Sequence, residues 1–473
     1  MVHMATEIHY PRRGVTWQGI ANQALFDQAT ASLLAWQQGL GQFGGLHLHP
    51  CWQESSVLTR QYHGQTVGMY GTIMSGACAL FERTGEQRWR KLADDIARNL
   101  MLLQQPEGGF RHGSSEFEPA YGCLESCPIS QGIPMLALLD YAAWSHAIPS
   151  TVAQIPNVFS RFWDWFYRFF WRRGNAWRAP LPFDGFCGVT NQDLVICAVL
   201  AKAQVLYGSD VYDRIGRSVL ETYLSPQYYY PRIGLFERGD KPNAVERTGY
   251  YGIILAMLRR LYAQTAEDRL LQVHDNVAAH LFDAIHTAAD GLAHFAAGAL
   301  TDADDKTRVT GWLVPPIAVC LYPELFVAME EYLRRHPDPS LQARYESVRN
   351  TYAAYVFADG SVPIALNPES ELFHVVSSAL LLWSYMIHDR GEMLQSPATV
   401  DSPCIHRYCG NTTWKTAGSL WAIEENGKRR FTGFRHSPGA VYPGEDVHFR
   451  GLDLTWLDQP QIVEKVTLLP ADV

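Results

Sequence analysis

Two helical patterns of apolar and polar positions alternate along this chain. In Trp89-Arg90-Lys91-Leu92-Ala93-Asp94-Asp95-Ile96-Ala97-Arg98-Asn99-Leu100, apolar residues recur at three- and four-residue spacing and charges fill the opposite face. That pattern predicts an amphipathic helix with one wet side. The same reading covers 17–40, 86–104, 156–171, 210–224, 267–286 and 340–357. The segments between them are apolar nearly all round, as in Ile253-Ile254-Leu255-Ala256-Met257-Leu258 and Leu380-Leu381-Leu382-Trp383. These span 64–83, 128–146, 191–207, 244–264, 312–334 and 371–388, and their composition predicts buried helices.

A glycine turn separates each wet helix from the dry helix that follows. The turns are centred on Gly45, Gly108, Gly174, Gly234, Gly291 and Gly360, at near-constant spacing. A fixed period of this kind marks a repeat architecture. Six hairpins of one outer and one inner helix predict an all-α (α/α)6 toroid over residues 1–394. Links from inner to next outer helix are mostly short. Links from outer to inner helix are long and contain the glycine turn, so the functional loops and six inner-helix N-termini share one end. Residues 395–473 read as a small β-rich extension packed on the toroid. Trp421–Phe431 carries an Asn-Gly hairpin turn, and 447–457 and 461–468 read as further strands.

The six-hairpin repeat over 17–390 resembles the architecture of the six-hairpin glycosidase superfamily. That group contains glycoside hydrolases and unsaturated glucuronyl hydrolases, with sugar epimerases and polysaccharide lyases nearby. The string Trp171-Arg172-Arg173-Gly174-Asn175-Ala176-Trp177 is similar to the Trp-x-Arg-Gly-x-x-Trp motif of unsaturated glucuronyl hydrolases. In that family the motif leads into a helix. Here Pro180 and Pro182 follow and predict a loop, and no catalytic residue is carried over on this match.

Composition narrows the field. The chain is 47% hydrophobic and 12% aromatic with only 18% charged residues, which excludes a disordered chain. A net charge of −9 disfavours a nucleic-acid partner. No apolar run is long enough to span a membrane, and the first residues show no signal-peptide pattern. Nine cysteines in no framework spacing read as reduced thiols. The expectation is a cytoplasmic enzyme without a membrane partner, its oligomeric state open.

Glycosidic hydrolysis needs two carboxylates across a sugar, one protonated and one ionised. Asp193, in Thr190-Asn191-Gln192-Asp193, sits at an inner-helix mouth where Thr190 or Asn191 can cap the helix and leave Asp193 to face the lumen. Glu246 opens the next inner helix beside Arg247 and Tyr250. Glu116 and Glu118 alternate in an extended segment and share a side. These four are the expected catalytic carboxylates. A carboxylate near a helix N-terminus also serves as an ordinary cap or dipole partner. His63, Arg247, Tyr250, Trp177, Trp312 and His374 are the expected substrate-binding residues, with His63 at the first inner-helix mouth and His374 opening the sixth inner helix. Loop-face aromatics suit the C–H faces of sugar rings.

The leading expectation is a glycoside hydrolase acting on an oligosaccharide, with uronic-acid-containing chains included. The alternative is a lyase or sugar epimerase using His63, His374 and Tyr250. Further alternatives are a terpenoid-processing toroid and a non-catalytic binding protein. No metal is expected, since Cys404-Ile405-His406-Arg407-Tyr408-Cys409 and His47-Leu48-His49 lack further partners at ligand spacing. No phosphate-cradling or dinucleotide motif occurs, so no cofactor is expected.

Overall fold

The computed structural model describes residues 14–39, 67–102, 104–110, 128–172, 176–177, 188–239, 245–288, 291–313, 319–356, 360, 362–366, 372–374, 379–398, 419–425 and 428–435. Among the described residues, the twelve principal helices are α1 (Gln23–Gly39), α2 (Val67–Thr84), α3 (Gln87–Leu102), α4 (Pro128–Ala143), α5 (Ile155–Phe170), α6 (Thr190–Tyr207), α7 (Arg217–Leu224), α8 (Tyr251–Thr265), α9 (Asp268–Leu281), α10 (Tyr322–Arg335), α11 (Pro339–Ala354) and α12 (Ala379–Arg390). The even-numbered helices form a closed inner ring, each packing on the next and α12 returning to α2. Each odd-numbered helix packs outside the inner helix that precedes it, and α1 packs on α12. Twelve helices in two concentric rings are what the alternation of wet and dry segments predicts.

Amphipathicity is sharpest in the outer ring. The inward face of α5 buries Ile155, Val158, Phe159, Phe162, Trp165, Phe166 and Phe170. Each large side chain there contributes about 1.5–3 kcal/mol of burial. In α6, by contrast, every residue from Thr190 to Ala201 is buried. Buried carboxylate–tyrosine pairs stitch the two rings together. Tyr141 of α4 and Thr151 donate to Asp94 of α3, each at 2.7 Å. Tyr345 of α11 and Tyr385 of α12 both donate to Glu330 of α10.

Three of the recurrent glycines, Gly108, Gly234 and Gly291, lie in turns of short antiparallel pairings, while Gly45 and Gly174 lie outside the described residues. Gly234 joins β3 (Tyr229–Tyr230) to β4 (Leu235–Phe236), and Gly291 lies between β5 (Ile285–Thr287) and β6 (Ala293–Phe295). Gly108 lies between the bridged residues Gln104 and Phe110. Three of these turns press on the next outer helix of the ring. A Cβ at Gly108 would meet the Arg161 carbonyl of α5, one at Gly234 would meet α9, and one at Gly360 would meet Ala29 of α1. The turn following the fifth outer helix behaves alike, since Thr351 of α11 accepts from the Ala293 amide at 3.0 Å. The repeat therefore locks neighbours around the ring.

Both ends of the toroid close it. Trp17 donates through its indole to Asp389 of α12 at 2.6 Å and through its backbone to Asn350 of α11. Beyond α12, Gln395 and Ala398 donate to Gln23 and Asp27 of α1.

Several boundaries differ from expectation. The outer segment 210–224 becomes a π-helical turn, Tyr212–Gly216, followed by α7. The inner helices expected from 244, 312 and 371 begin at Tyr251, Tyr322 and Ala379. Strand hairpins occupy the missing length: β7 (Gly298–Thr301) with β8 (Val309–Leu313), and β9 (Pro363–Leu366) with β10 (Leu372–His374). An apolar alternating strand and the first turns of a buried helix look alike in sequence. The expected Asn-Gly hairpin is present as β11 (Ser419–Glu425) paired with β12 (Lys428–Arg435). The expected strands at 447–457 and 461–468 lie outside the described residues.

Candidate active site

The loop-face end of the lumen is built from the first turns of α6, α8 and α10. Residues 235–239 stitch the first two together. Thr190 at the start of α6 donates through its hydroxyl to the Glu237 carbonyl at 2.6 Å. Glu237 bridges Val245, just before α8. Gly239 lies against the Gly188 backbone so closely that a Cβ there would overlap the Gly188 carbonyl.

Glu246 is fully buried in this seam. Its Oε1 accepts from the Arg247 amide at 3.0 Å and from the Arg238 guanidinium at 3.3 Å. The same guanidinium lies over the Tyr250 ring, 5.9 Å from its centroid. The neighbouring Glu237 accepts from the Tyr230 hydroxyl at 2.6 Å and pairs with Lys306 at 3.3 Å. Arg247 bridges Gly298 of β7, which brings up the β7–β8 hairpin with Trp312. The structure thus brings Glu246, Arg247, Tyr250 and Trp312 into one region. Trp312 is half-buried against the core. It belongs to a strand and does not open a helix.

Asp193 lies in the first turn of α6, completely buried. Neither Thr190 nor Asn191 caps the helix; Val189 is the N-cap and gives no side-chain bond. The expectation that Asp193 faces the lumen is corrected. Its Oδ2 accepts from Tyr223 of the outer helix α7 at 2.7 Å. Cys197, one turn on, contacts the Gly216 carbonyl on the same outer side. Asp193–Tyr223 therefore repeats the ring-to-ring pairs at Asp94 and Glu330. Tyr223→Phe is expected to cost about 1–3 kcal/mol, because it strips a donor from a buried carboxylate. Urea unfolding checks this, and an unchanged midpoint would remove the pair from the account of the fold.

His374 ends strand β10, opposite Pro363, and does not open the sixth inner helix. Trp177 lies in β2 (Ala176–Trp177), opposite Trp171 of β1 (Trp171–Arg172). A hairpin therefore stands where the glucuronyl hydrolase motif leads into a helix. Glu116, Glu118 and His63 lie outside the described residues, as do Cys404, His406, Cys409, His47 and His49. Among the described residues no three His, Cys, Asp or Glu side chains cluster as metal ligands, and no helix is long and apolar enough to cross a membrane.

The residue that sequence reasoning missed is Glu324, in the first turn of α10. Tyr322, Phe326 and Glu330 of this helix meet Tyr345 or Tyr352 of the outer helix α11. Glu324 is two positions from both Tyr322 and Phe326, about 200° around the helix, so it points into the lumen. Gly252 of α8 makes room: a Cβ there would stand 2.6 Å from the Glu324 Cβ. Burial raises the Glu324 carboxyl to about 7. A helix N-terminus favours the ionised form, so desolvation outweighs the dipole. Glu324 nevertheless keeps some solvent-reachable surface. Among the described residues no hydrogen bond or ion pair holds its carboxylate. A deep, water-reached acid that titrates near neutrality has the properties of a proton donor. Pro323 was the available signal, since proline in the first turn marks a helix start.

The opposite end of the lumen is bridged by charge. Asp140 of α4 pairs with Lys202 of α6 at 3.7 Å and with Arg260 of α8 at 2.6 Å. Since α6 stands between α4 and α8, Arg260 reaches across the lumen. Arg259 of α8 pairs with Glu331 of α10.

No family model and no curated protein sequence matches this chain. Solved structures do. Cellobiose 2-epimerase from Bacillus thermoamylovorans B4167 is similar at a TM-score of 0.55 and 9% identity, covering 78% of this chain and 100% of that one. A sugar epimerase from a ruminal bacterium is similar at 0.53 and 11% identity, covering 78% and 98%. Unsaturated glucuronyl hydrolase from Bacillus sp. GL1 is similar at 0.51 and 12% identity, covering 79% and 97%. The chain has the six-hairpin (α/α)6 toroid fold. In this toroid the shared region of Glu246, Arg247 and Tyr250 and the lumenal Glu324 lie at the inner-helix N-termini, the end that carries the long loops.

Proposed function

We propose that this toroid is a carbohydrate-active enzyme, a glycoside hydrolase that cleaves an oligosaccharide at the loop-face end of its lumen. Glu324 carries the reading, because a carboxylic acid held protonated near neutrality is what a glycosidic leaving oxygen needs. Protonated Glu324 gives its proton to that oxygen as the C–O bond breaks. Water then bonds to the sugar carbon and loses a proton to an ionised carboxylate.

Glu116 and Glu118 are proposed as the source of that carboxylate. Asp193 and Glu246 are proposed as positioning residues, since both are enclosed and engaged where they hold the mouths of α6 and α8. Arg247, Tyr250, Trp312, Trp177, His63 and His374 are proposed saccharide contacts. The similar structures support the reading, for their names place a cellobiose epimerase and a glucuronyl hydrolase on the same fold.

The test is to incubate the protein with a panel of oligosaccharides and assay new reducing ends. Hydrolysis that disappears in Glu324→Gln is the expected result. An ultraviolet-absorbing unsaturated product would favour a lyase instead. A product of unchanged length and inverted hydroxyl stereochemistry would favour an epimerase.

A further inference from the structure

Gly252 stands in the first turn of α8, in the string Thr248-Gly249-Tyr250-Tyr251-Gly252. It is helical and its φ is negative, so the path of the chain does not call for glycine. Inside a helix glycine is less favourable than alanine, and a close approach of another group is the usual reason to keep it.

Glu324 makes that approach. A Cβ at Gly252 would stand 2.6 Å from the Glu324 Cβ, 3.2 Å from its Oε2 and 3.4 Å from its backbone carbonyl carbon. The carboxyl therefore folds back over bare α8 backbone, and α8 covers one side of it. No rotamer of Glu324 relieves an overlap with its own Cβ. Carbon atoms settle at about 3.5–4.0 Å, so a methyl group at 252 would drive the two first turns apart by about 1 Å. One turn earlier the contact is of another kind. A Cβ at Gly249 would meet the tip of Leu321, 2.7 Å from Cδ1, and a rotated leucine gives way.

Among the described residues, few ionisable groups face this contact. Cys320 lies one turn before Glu324, and burial pushes its thiol up to about 12, so it stays neutral. Tyr251 engages the Phe236 backbone, and Arg238 pairs with Glu246 beside Tyr250. Tyr322 and Tyr352 meet on the outer side of α10. The charged groups that α9, α11 and α12 turn toward α10 meet its later turns. His274 approaches Glu331, Asp275 pairs with Arg335, and Arg349 and His388 pair with Glu330.

We propose that Gly252 is a positioning residue, which seats Glu324 against the bare backbone of α8 and keeps water from one side of its carboxyl. Water that enters beside a carboxylate stabilises its ionised form, so an opened seat releases the proton at lower pH. The inference rests on the reading of Glu324 as proton donor, but its test uses no substrate.

The full-length protein is unfolded in urea from pH 4.5 to 8.5 as the parent, Gly252→Ala and Gly249→Ala, each with and without Glu324→Gln. In the parent, stability falls over this range as folded Glu324 gives up its proton. Gly252→Ala is expected to shrink the Glu324-dependent part of that fall by at least about half. Gly249→Ala is expected to leave it unchanged. A parent-sized fall in Gly252→Ala, or an equal shrinkage in Gly249→Ala, would overturn the seat. A second measurement needs no change at Gly252. In protein carrying carbon-13 glycine, the Gly252 Cα signal is expected to follow the Glu324 titration near pH 7 and to stand still in Glu324→Gln. A Gly252 signal that ignores pH, or that moves equally in Glu324→Gln, would overturn the seat as well. If the seat is found but no oligosaccharide is cleaved, the hydrolase reading fails and the seat stands. Glu324-dependent cleavage with a parent-sized fall in Gly252→Ala would do the reverse.

Discussion

Replacing Glu324 by glutamine is expected to lower kcat by about 10²–10⁴-fold, the usual weight of a general acid, while making the protein more stable in alkali. Both effects come from one property. The Glu324 carboxyl is raised by burial from its ordinary 4.5 to about 7. Between those values the folded chain holds a proton that the unfolded chain has released. Stability therefore falls as pH rises from about 4.5 to about 7 and levels off above. Glutamine has no charge to bury and escapes that fall. With a discount for the water that reaches Glu324, the variant gains about 1–3 kcal/mol over the parent above pH 7. Below pH 4.5 the two should be similar. In the parent, activity that needs the protonated acid declines as pH passes upward through about 7.

Urea unfolding at pH 4.5 and 8.5, beside a kcat profile, reads both consequences. A glutamine variant with full activity would remove Glu324 from the mechanism. A variant less stable than the parent at both pH values would show that the carboxyl makes a structural bond. A gain in stability with a loss of activity is the pattern of a functional group kept at a cost to the fold.

Sequence reasoning reached the architecture because burial is periodic. The wet face of 86–104 and the dry run of 191–207 each follow from where a helix sits, so α3 and α6 begin within one residue of expectation. It failed where two structures share one pattern. The apolar pattern starts the fifth inner helix at 312, yet Trp312 and Leu313 end strand β8 and α10 begins only at Tyr322. Glu324 then appeared deep inside a helix and not in its first turn, where a carboxylate is worth testing. Asp193 failed for another reason. Its place at an inner-helix mouth was legible, but the phase that turns it toward Tyr223 depends on a partner 30 residues away. Glycine periodicity was legible as a repeat, yet its purpose was not, since the contacts made by the turns at Gly108, Gly234, Gly291 and Gly360 belong to the next repeat.

That purpose gives the second large effect. Gly108→Ala is expected to destabilise the toroid by at least about 3 kcal/mol. Gly108 holds φ at +121°, where a side chain is strained, and its Cβ would stand 2.1 Å from the Arg161 carbonyl and 2.8 Å from the Trp165 Cβ. The strain alone costs about 1–3 kcal/mol. The overlap is with backbone, so no rotamer relieves it, and the turn must lift from α5. Gly291→Ala separates the two causes. Gly291 holds φ at +83° with nothing within 4 Å of its Cβ position, so alanine there should cost only the strain, about 1–2 kcal/mol. Paired urea unfolding of both variants measures the difference. If Gly291→Ala costs as much as Gly108→Ala, the turns matter for their own conformation alone, and the locking of one repeat onto the next must come from elsewhere. If Gly108→Ala costs far more, each hairpin turn is a joint of the ring, and the near-constant spacing of the glycines reflects the spacing of the outer helices on which they rest.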